Sequence, residues 1–136
     1  MRIIFHDTED ETNLLNGAAI HTSDRLRQIL YSLKDREPFC CVLVGENGSE
    51  LCIGIGEVGF AEYSRDDDAL YMLARTKRNV IAGTEEDFLA GGTPTPVPAH
   101  FCMPFDDVIK IAVYFIETGN ACPPFSWEEI GPDNFA

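Results

Sequence analysis

Phe39-Cys40-Cys41-Val42-Leu43-Val44, then Gly45-Glu46-Asn47-Gly48-Ser49, then Leu51-Cys52-Ile53-Gly54-Ile55 form an almost unbroken passage, with only Glu50 between the last two segments. The first run is continuously apolar and too short for a buried helix, which suits a central strand covered on both faces. Asn47-Gly48 is the strongest short-range signal for a hairpin, because both residues tolerate the positive φ that the turn demands. Leu51, Ile53 and Ile55 then alternate, placing three apolar side chains on one face of a returning strand. A third strand is expected over residues 58–63, after Gly54 and Gly56. The turn Ser64-Arg65-Asp66-Asp67-Asp68 leads into a fourth over residues 69–73.

A helix is expected on each side of this meander. Upstream, Leu26, Ile29, Leu30 and Leu33 fall on one face at helical spacing, Ser23 or Asp24 offers a cap, and Pro38 bars continuation. Downstream, Pro104 or Phe105 opens a second helix, Asp106 and Asp107 complement its dipole, and Gly119 supplies a left-handed stop. Val108, Ile109, Ile111, Ala112, Val113, Phe115 and Ile116 make it nearly all apolar, with Lys110, Tyr114 and Glu117 as a narrow polar stripe. Residues 2–5 read as a short strand and residues 99–103 as a further one. Residues 75–98 read as mostly irregular, since the Gly91-Gly92-Thr93-Pro94-Thr95-Pro96-Val97-Pro98 run carries a proline at every second position. Trp127 is expected to return as an edge strand or lid. The fold class is α+β: one antiparallel meander of about four to six strands packed against two main helices.

Bulk composition bounds the function. The chain has 136 residues, 45% of them apolar, which is one domain's worth (1–136) with a core of its own. No apolar run approaches a membrane span, and the N-terminus lacks the pattern of an export signal, so a cytoplasmic protein with no membrane partner is expected. The odd count of five cysteines, scattered without Cys-x-x-Cys pairs, suits free thiols rather than disulfides or structural zinc. Ten Lys and Arg against 23 Asp and Glu leave a net charge of −13. That field repels nucleic acid and speeds encounter with a cationic protein surface. The acids run together at Asp7-Thr8-Glu9-Asp10-Glu11, Asp66-Asp67-Asp68, Glu85-Glu86-Asp87 and Glu128-Glu129.

Catalytic and ligand motifs are sparse. Gly54-x-Gly56-x-x-Gly59 spells a dinucleotide fingerprint but joins two strands, where a strand-to-helix turn is required, so the glycines are expected to serve bulges or tight turns. The Asp66–Asp68 triplet lacks the spacing of a calcium loop and reads as a solvated turn. His6 and His21 read as surface imidazoles. His100 and Cys102 would share one face of a strand and are the best nucleophile–base pair the chain offers. No cofactor, metal or catalytic residue is expected.

The C-terminal third carries a resemblance. Gly91-Gly92, Val97-Pro98, the helix 105–119 ending in Phe115-x-x-Thr118-Gly119, and Ser126-Trp127-Glu128-Glu129 are similar to the end of a family of bacterial immunity proteins. These are cytoplasmic antitoxins of polymorphic and contact-dependent toxin systems, often encoded beside nucleic-acid deaminase toxins. In the family a Trp followed by an acid comes eight residues after the Thr-Gly, as at Trp127-Glu128 here. Members commonly have Arg-Pro soon after the Thr-Gly, whereas this chain has Ala121-Cys122-Pro123-Pro124. The resemblance implies an antitoxin that binds a cognate toxin domain, a deaminase or nuclease, and blocks its active site.

A toxin acting on nucleic acid is basic, so the expected interface is acidic. Asp66, Asp67, Asp68, Glu85, Glu86 and Asp87 are the candidate contacts, with Tyr63 and Phe88 as exposed aromatic anchors. Reversing the 66–68 triplet to lysine should slow association more than it speeds dissociation. The alternatives are a small cytoplasmic enzyme using Cys102 and His100, or a regulatory module in a larger assembly.

Overall fold

The computed structural model describes residues 1–65 and 70–130. In chain order the elements are β1 (Ile3–Asp7), β2 (Ala19–Ile20), α1 (Ser23–Leu33), β3 (Phe39–Gly45), β4 (Ser49–Ile55), β5 (Val58–Gly59), β6 (Ala61–Arg65), β7 (Leu70–Ala74), β8 (Glu85–Ala90), β9 (Thr93–Pro98), a 3₁₀ turn (Ala99–Phe101), β10 (Met103–Pro104), α2 (Phe105–Thr118) and β11 (Trp127–Ile130). The protein is α+β, with two helices on a mostly antiparallel sheet. Among the described residues that sheet has nine strands, ordered β11-β7-β6-β4-β3-β1-β2, with the β8–β9 hairpin joined to β3.

The expected meander is its centre. β3 and β4 pair antiparallel from Phe39↔Ile55 to Val44↔Glu50, and Gly48 closes the turn at φ +85°. Odd-numbered positions of β3 and β4 (Phe39, Cys41, Leu43, Leu51, Ile53, Ile55) are buried under the helices. α1 contributes Leu26, Ile29, Leu30 and Leu33, and α2 contributes seven buried side chains from Phe105 to Ile116. The first helix is capped by Thr22, whose hydroxyl accepts the Arg25 N–H at 3.2 Å, one residue before the expected cap.

Residues 75–98 depart from the expected irregular segment. β8 and β9, six residues each, form a hairpin paired from Glu85↔Pro98 to Ala90↔Thr93 around Gly91 and Gly92, which take φ +58° and +80°. Alternating prolines fit because β9 is an edge strand. Leu89 N–H donates to the Pro38 carbonyl, away from β9, so the N–H groups of Thr93, Thr95 and Val97 are the ones aimed at β8. Pro94, Pro96 and Pro98 lie at the positions whose N–H would face outward, where none is needed. The hairpin covers part of the sheet face opposite the helices: Phe88 and Val97 pack with Cys40, Phe60, Leu73, Phe101 and Cys102 in a second cluster.

A further expectation is corrected, that for residues 99–103, and two glycines of the 54–59 run prove to be needed for packing as well. Residues 99–103 form a 3₁₀ turn and only then a two-residue strand, because Cys102 N–H closes back on the Ala99 carbonyl. The glycines at 54 and 59 serve packing. A side chain on Gly54 would reach 2.5 Å from the Phe60 ring and 2.7 Å from Phe88, and one on Gly59 would meet Val108 at 2.9 Å. Trp127 does open an edge strand, β11, antiparallel to β7.

One residue of the C-terminal motif, Gly119, ties the end of α2 to the sheet. Gly119, at φ +74°, ends α2, and its carbonyl accepts from Tyr63 Oη at 3.0 Å, Ser49 Oγ at 3.0 Å and Asn47 Nδ2 at 3.3 Å. These donors tie the helix end to the β3–β4 turn and to β6. Phe115 packs edge-on to Tyr63, and Tyr63 to Trp127. The motif therefore holds the fold together.

Candidate functional site

The acidic segment after β1 is an ordered loop. Asp7, with a side chain wholly out of solvent, accepts from the backbone N–H of Glu9 and Asp10 (2.9 Å each), from Asn13 Nδ2 (3.0 Å) and from Arg36 Nη1 (2.7 Å). Burial alone pushes this carboxyl up. The Arg36 guanidinium, the Asn13 amide and the two backbone N–H groups outweigh that and hold it below the ordinary aspartate range. Asp10 accepts from Thr12, Asn13 from the Leu15 N–H, and Asn16 donates to the Asp10 carbonyl, so the loop is braced from within. At its crest Leu14 is 98% exposed, an apolar side chain displayed on a preorganised support. Glu9 and Asp10 are half-buried and Glu11 is exposed.

The hairpin tip rests on this loop. Gly91 N–H donates to the Thr8 carbonyl at 2.9 Å, and Gly92 N–H to Glu9 Oε2 at 2.9 Å. Thr8 in turn donates to the Cys40 carbonyl through N–H and hydroxyl. The acidic loop and acidic β8 thus belong to one surface. Asp87 lies four residues from the tip, roughly 13 Å along the strand. From Ile3 to Asp24 and from Asn79 to Ile109 the chain carries no Lys or Arg, so both segments are purely acidic in formal charge. Arg25, Arg27 and Lys110 lie on the helices and Lys34 just after α1, while Arg36 pairs with Asp7 of the acidic loop and Lys77 and Arg78 directly precede the second acidic segment.

Where loop, hairpin and sheet meet there is a cavity of about 200 Å³, walled by Cys40, Cys52, Phe60 and Glu62 from the sheet, Thr8 from the loop, and Ala90 and Thr95 from the hairpin. Glu62 stands opposite Cys52 on β4 and Leu73 on β7. Burial pushes its carboxyl above the usual glutamate range. The Cys52 thiol is raised well above the ordinary cysteine value, first by its hydrogen bond with Cys40 and then by burial.

The expected contacts fare unevenly. Glu85 and Asp87 are exposed and Glu86 half-buried on β8. Asp66, Asp67 and Asp68 lie outside the described residues. Tyr63 and Phe88 are not exposed anchors: Tyr63 is 3% exposed and spends its hydroxyl on Gly119, while Phe88 is fully buried edge-on to Phe60. Each sits on the inward phase of its strand, Tyr63 with Ala61 and Phe88 with Glu86 and Ala90. Leu14 and Glu62 were not among the expected contacts. A leucine in a polar loop carries a faint signal, and a glutamate on the phase of β6 opposite Tyr63 carries one only once the hairpin that covers that face is known.

His100 and Cys102 do not share a face. His100 is exposed, 4.0 Å from Glu128, whereas Cys102 is fully buried with its thiol 3.5 Å from the Val97 and Pro98 carbonyls. Burial raises the Cys102 thiol to about 11, the opposite of what activates a nucleophile. The Cys41 and Cys122 thiols are likewise raised by burial. Among the described residues no group of three His, Cys, Asp or Glu side chains is placed to hold a metal, and no helix is long and apolar enough to cross a membrane. Comparison with protein-family models finds no match for the chain, and a search of curated proteins finds no relative.

Proposed function

We propose that the protein is an immunity protein that binds a basic toxin domain and blocks its nucleic-acid site with the surface formed by residues 8–17 and the β8–β9 hairpin. The observation that carries this reading is the junction of two purely acidic segments through Gly91, Gly92, Thr8 and Glu9, with the exposed Leu14 beside them. Acidic rims raise the rate of encounter with a cationic groove, and an apolar anchor at a rigid loop crest holds the complex once formed. The bracing of the loop by Asp7 means that little ordering is required on binding. The C-terminal resemblance points to the same role. A cytoplasmic location follows from the role proposed, since the toxin acts on nucleic acid inside the cell.

The direct test is growth rescue. The chain is co-expressed with a cognate nucleic-acid-targeting toxin domain, identified by the chain's capture of it, alongside a variant carrying Glu11→Lys, Glu85→Lys and Asp87→Lys, all exposed positions. Rescue by the native chain and at least a tenfold loss of rescue by the folded variant are the expected results. Growth arrest in the presence of the native, folded chain rejects the antitoxin role, and full rescue by the variant rejects this surface.

A further inference from the structure

The cavity at the junction of loop, hairpin and sheet contains a charge that the fold leaves unanswered. Among the described residues the Glu62 carboxylate makes no hydrogen bond or ion pair, although its neighbours across the sheet, Cys52 and Leu73, remove it from much of the water. Arg65, the nearest base in sequence, lies on the opposite phase of β6. Glu62 is half-buried and its oxygens still reach solvent at the cavity, so the carboxylate is partly desolvated yet open to an incoming partner.

The shape of the cavity narrows the ligand. At about 200 Å³ it is smaller than the roughly 300–1,000 Å³ of pockets that take cofactors or drug-sized molecules, and it suits one long side chain. Its walls from Phe60, Ala90 and the two thiols suit an aliphatic stem, and the carboxylate suits a cationic head. Among the described residues no three-ligand group is placed here, which argues against a metal as the cation. Between the two cationic side chains, guanidinium is the more weakly hydrated and pairs with a carboxylate through two parallel hydrogen bonds. The rim, with Glu9 and Asp10 beyond Thr8, repels an anionic competitor.

We infer that this cavity is a socket for a single arginine side chain of the partner protein, with Glu62 as its counter-ion and Thr8, Ala90 and Thr95 as its mouth. This rests on the docking surface proposed above and names the group that surface receives. The partner's arginine, drawn from its own nucleic-acid groove, would lose its phosphate ligand and gain the Glu62 carboxylate.

The test uses Nα-acetyl-arginine amide as the probe, titrated at low ionic strength into the isotopically labelled full chain and followed by NMR. Saturable shifts at the Glu62 carboxyl carbon and at the Cys52, Ala90 and Thr95 amides are expected, with a dissociation constant in the millimolar range. Glu62→Gln keeps the shape and removes the charge. It should weaken the probe at least tenfold while melting at the same temperature as the native chain or higher, which separates loss of the site from loss of the fold. Nα-acetyl-norleucine amide, neutral with an aliphatic stem, should give no saturable shift. No saturation at these four positions, or equal binding by E62Q, overturns the socket. Because the probe contains no toxin, that failure leaves the antitoxin reading standing, whereas failed growth rescue with intact probe binding removes the antitoxin reading alone.

Discussion

Asp7 shows how one residue can serve the fold and the surface together. Its carboxylate is the hub of the acidic loop, and four donors leave it with a lowered pKa. A depressed carboxyl stabilises the folded state above its unfolded value, 3.8, and that stabilisation is lost as pH falls through the folded value. Asp7→Asn should therefore lower stability at pH 7 by on the order of 2–3 kcal/mol, with Arg36, the Asn13 amide and two backbone N–H groups left without a charged acceptor. The deficit should shrink as both proteins are taken well below the ordinary aspartate range, and urea unfolding at a series of pH values reads this directly. A deficit independent of pH would mean that the loop is held by something else. Gly119 is the second such residue. Its positive φ, and the Asn47 side chain lying where a β-carbon would project, leave no room for one, so Gly119→Ala should cost more than about 1 kcal/mol, measured by thermal or denaturant unfolding. Gly119 was legible in the sequence as a helix stop. Its carbonyl as the meeting point of Asn47, Ser49 and Tyr63 was not, because those donors come from elements some 56 to 72 positions away.

At the level of elements, the legible parts are those with local causes. The β3–β4 hairpin follows from alternation and Asn47-Gly48. α1 and α2 follow from their apolar faces, Pro38 and Gly119. The β8–β9 hairpin was hidden because its prolines oppose a strand in isolation, and only its place at a sheet edge makes them acceptable. Those prolines have a purpose that can be tested. An edge with three outward N–H groups missing cannot template another strand, so the protein can present an apolar-backed hairpin without pairing to its own copies. Replacing Pro94 and Pro96 with threonine should leave the fold intact and increase self-association, seen by sedimentation velocity at increasing concentration. A variant as monodisperse as the native chain would show that the prolines are there for another reason. The buried Tyr63 and Phe88 illustrate the same limit from the other side. Which phase of a strand faces inward depends on what the other elements cover, and the hairpin that carries Phe88 was itself missing from the expected fold.

On the scale of the whole molecule, the charge of −13 and the acidic runs were readable directly, but their arrangement was not. Folding places the bases of both helices on one layer and joins two acidic segments, far apart in the chain, at the hairpin tip. On the function proposed, this acidic junction sets the side from which a cationic partner approaches. Long-range attraction acts on association more than on dissociation and is screened over about 10 Å at 0.1 M salt. The most direct measurement is the association rate of the purified toxin domain with the native chain and with the Glu11→Lys, Glu85→Lys, Asp87→Lys variant, at low and high salt. The native chain should associate at least tenfold faster at low salt, with the two rates converging at high salt and the dissociation rates differing much less. Equal association rates at low salt would contradict docking through this acidic surface.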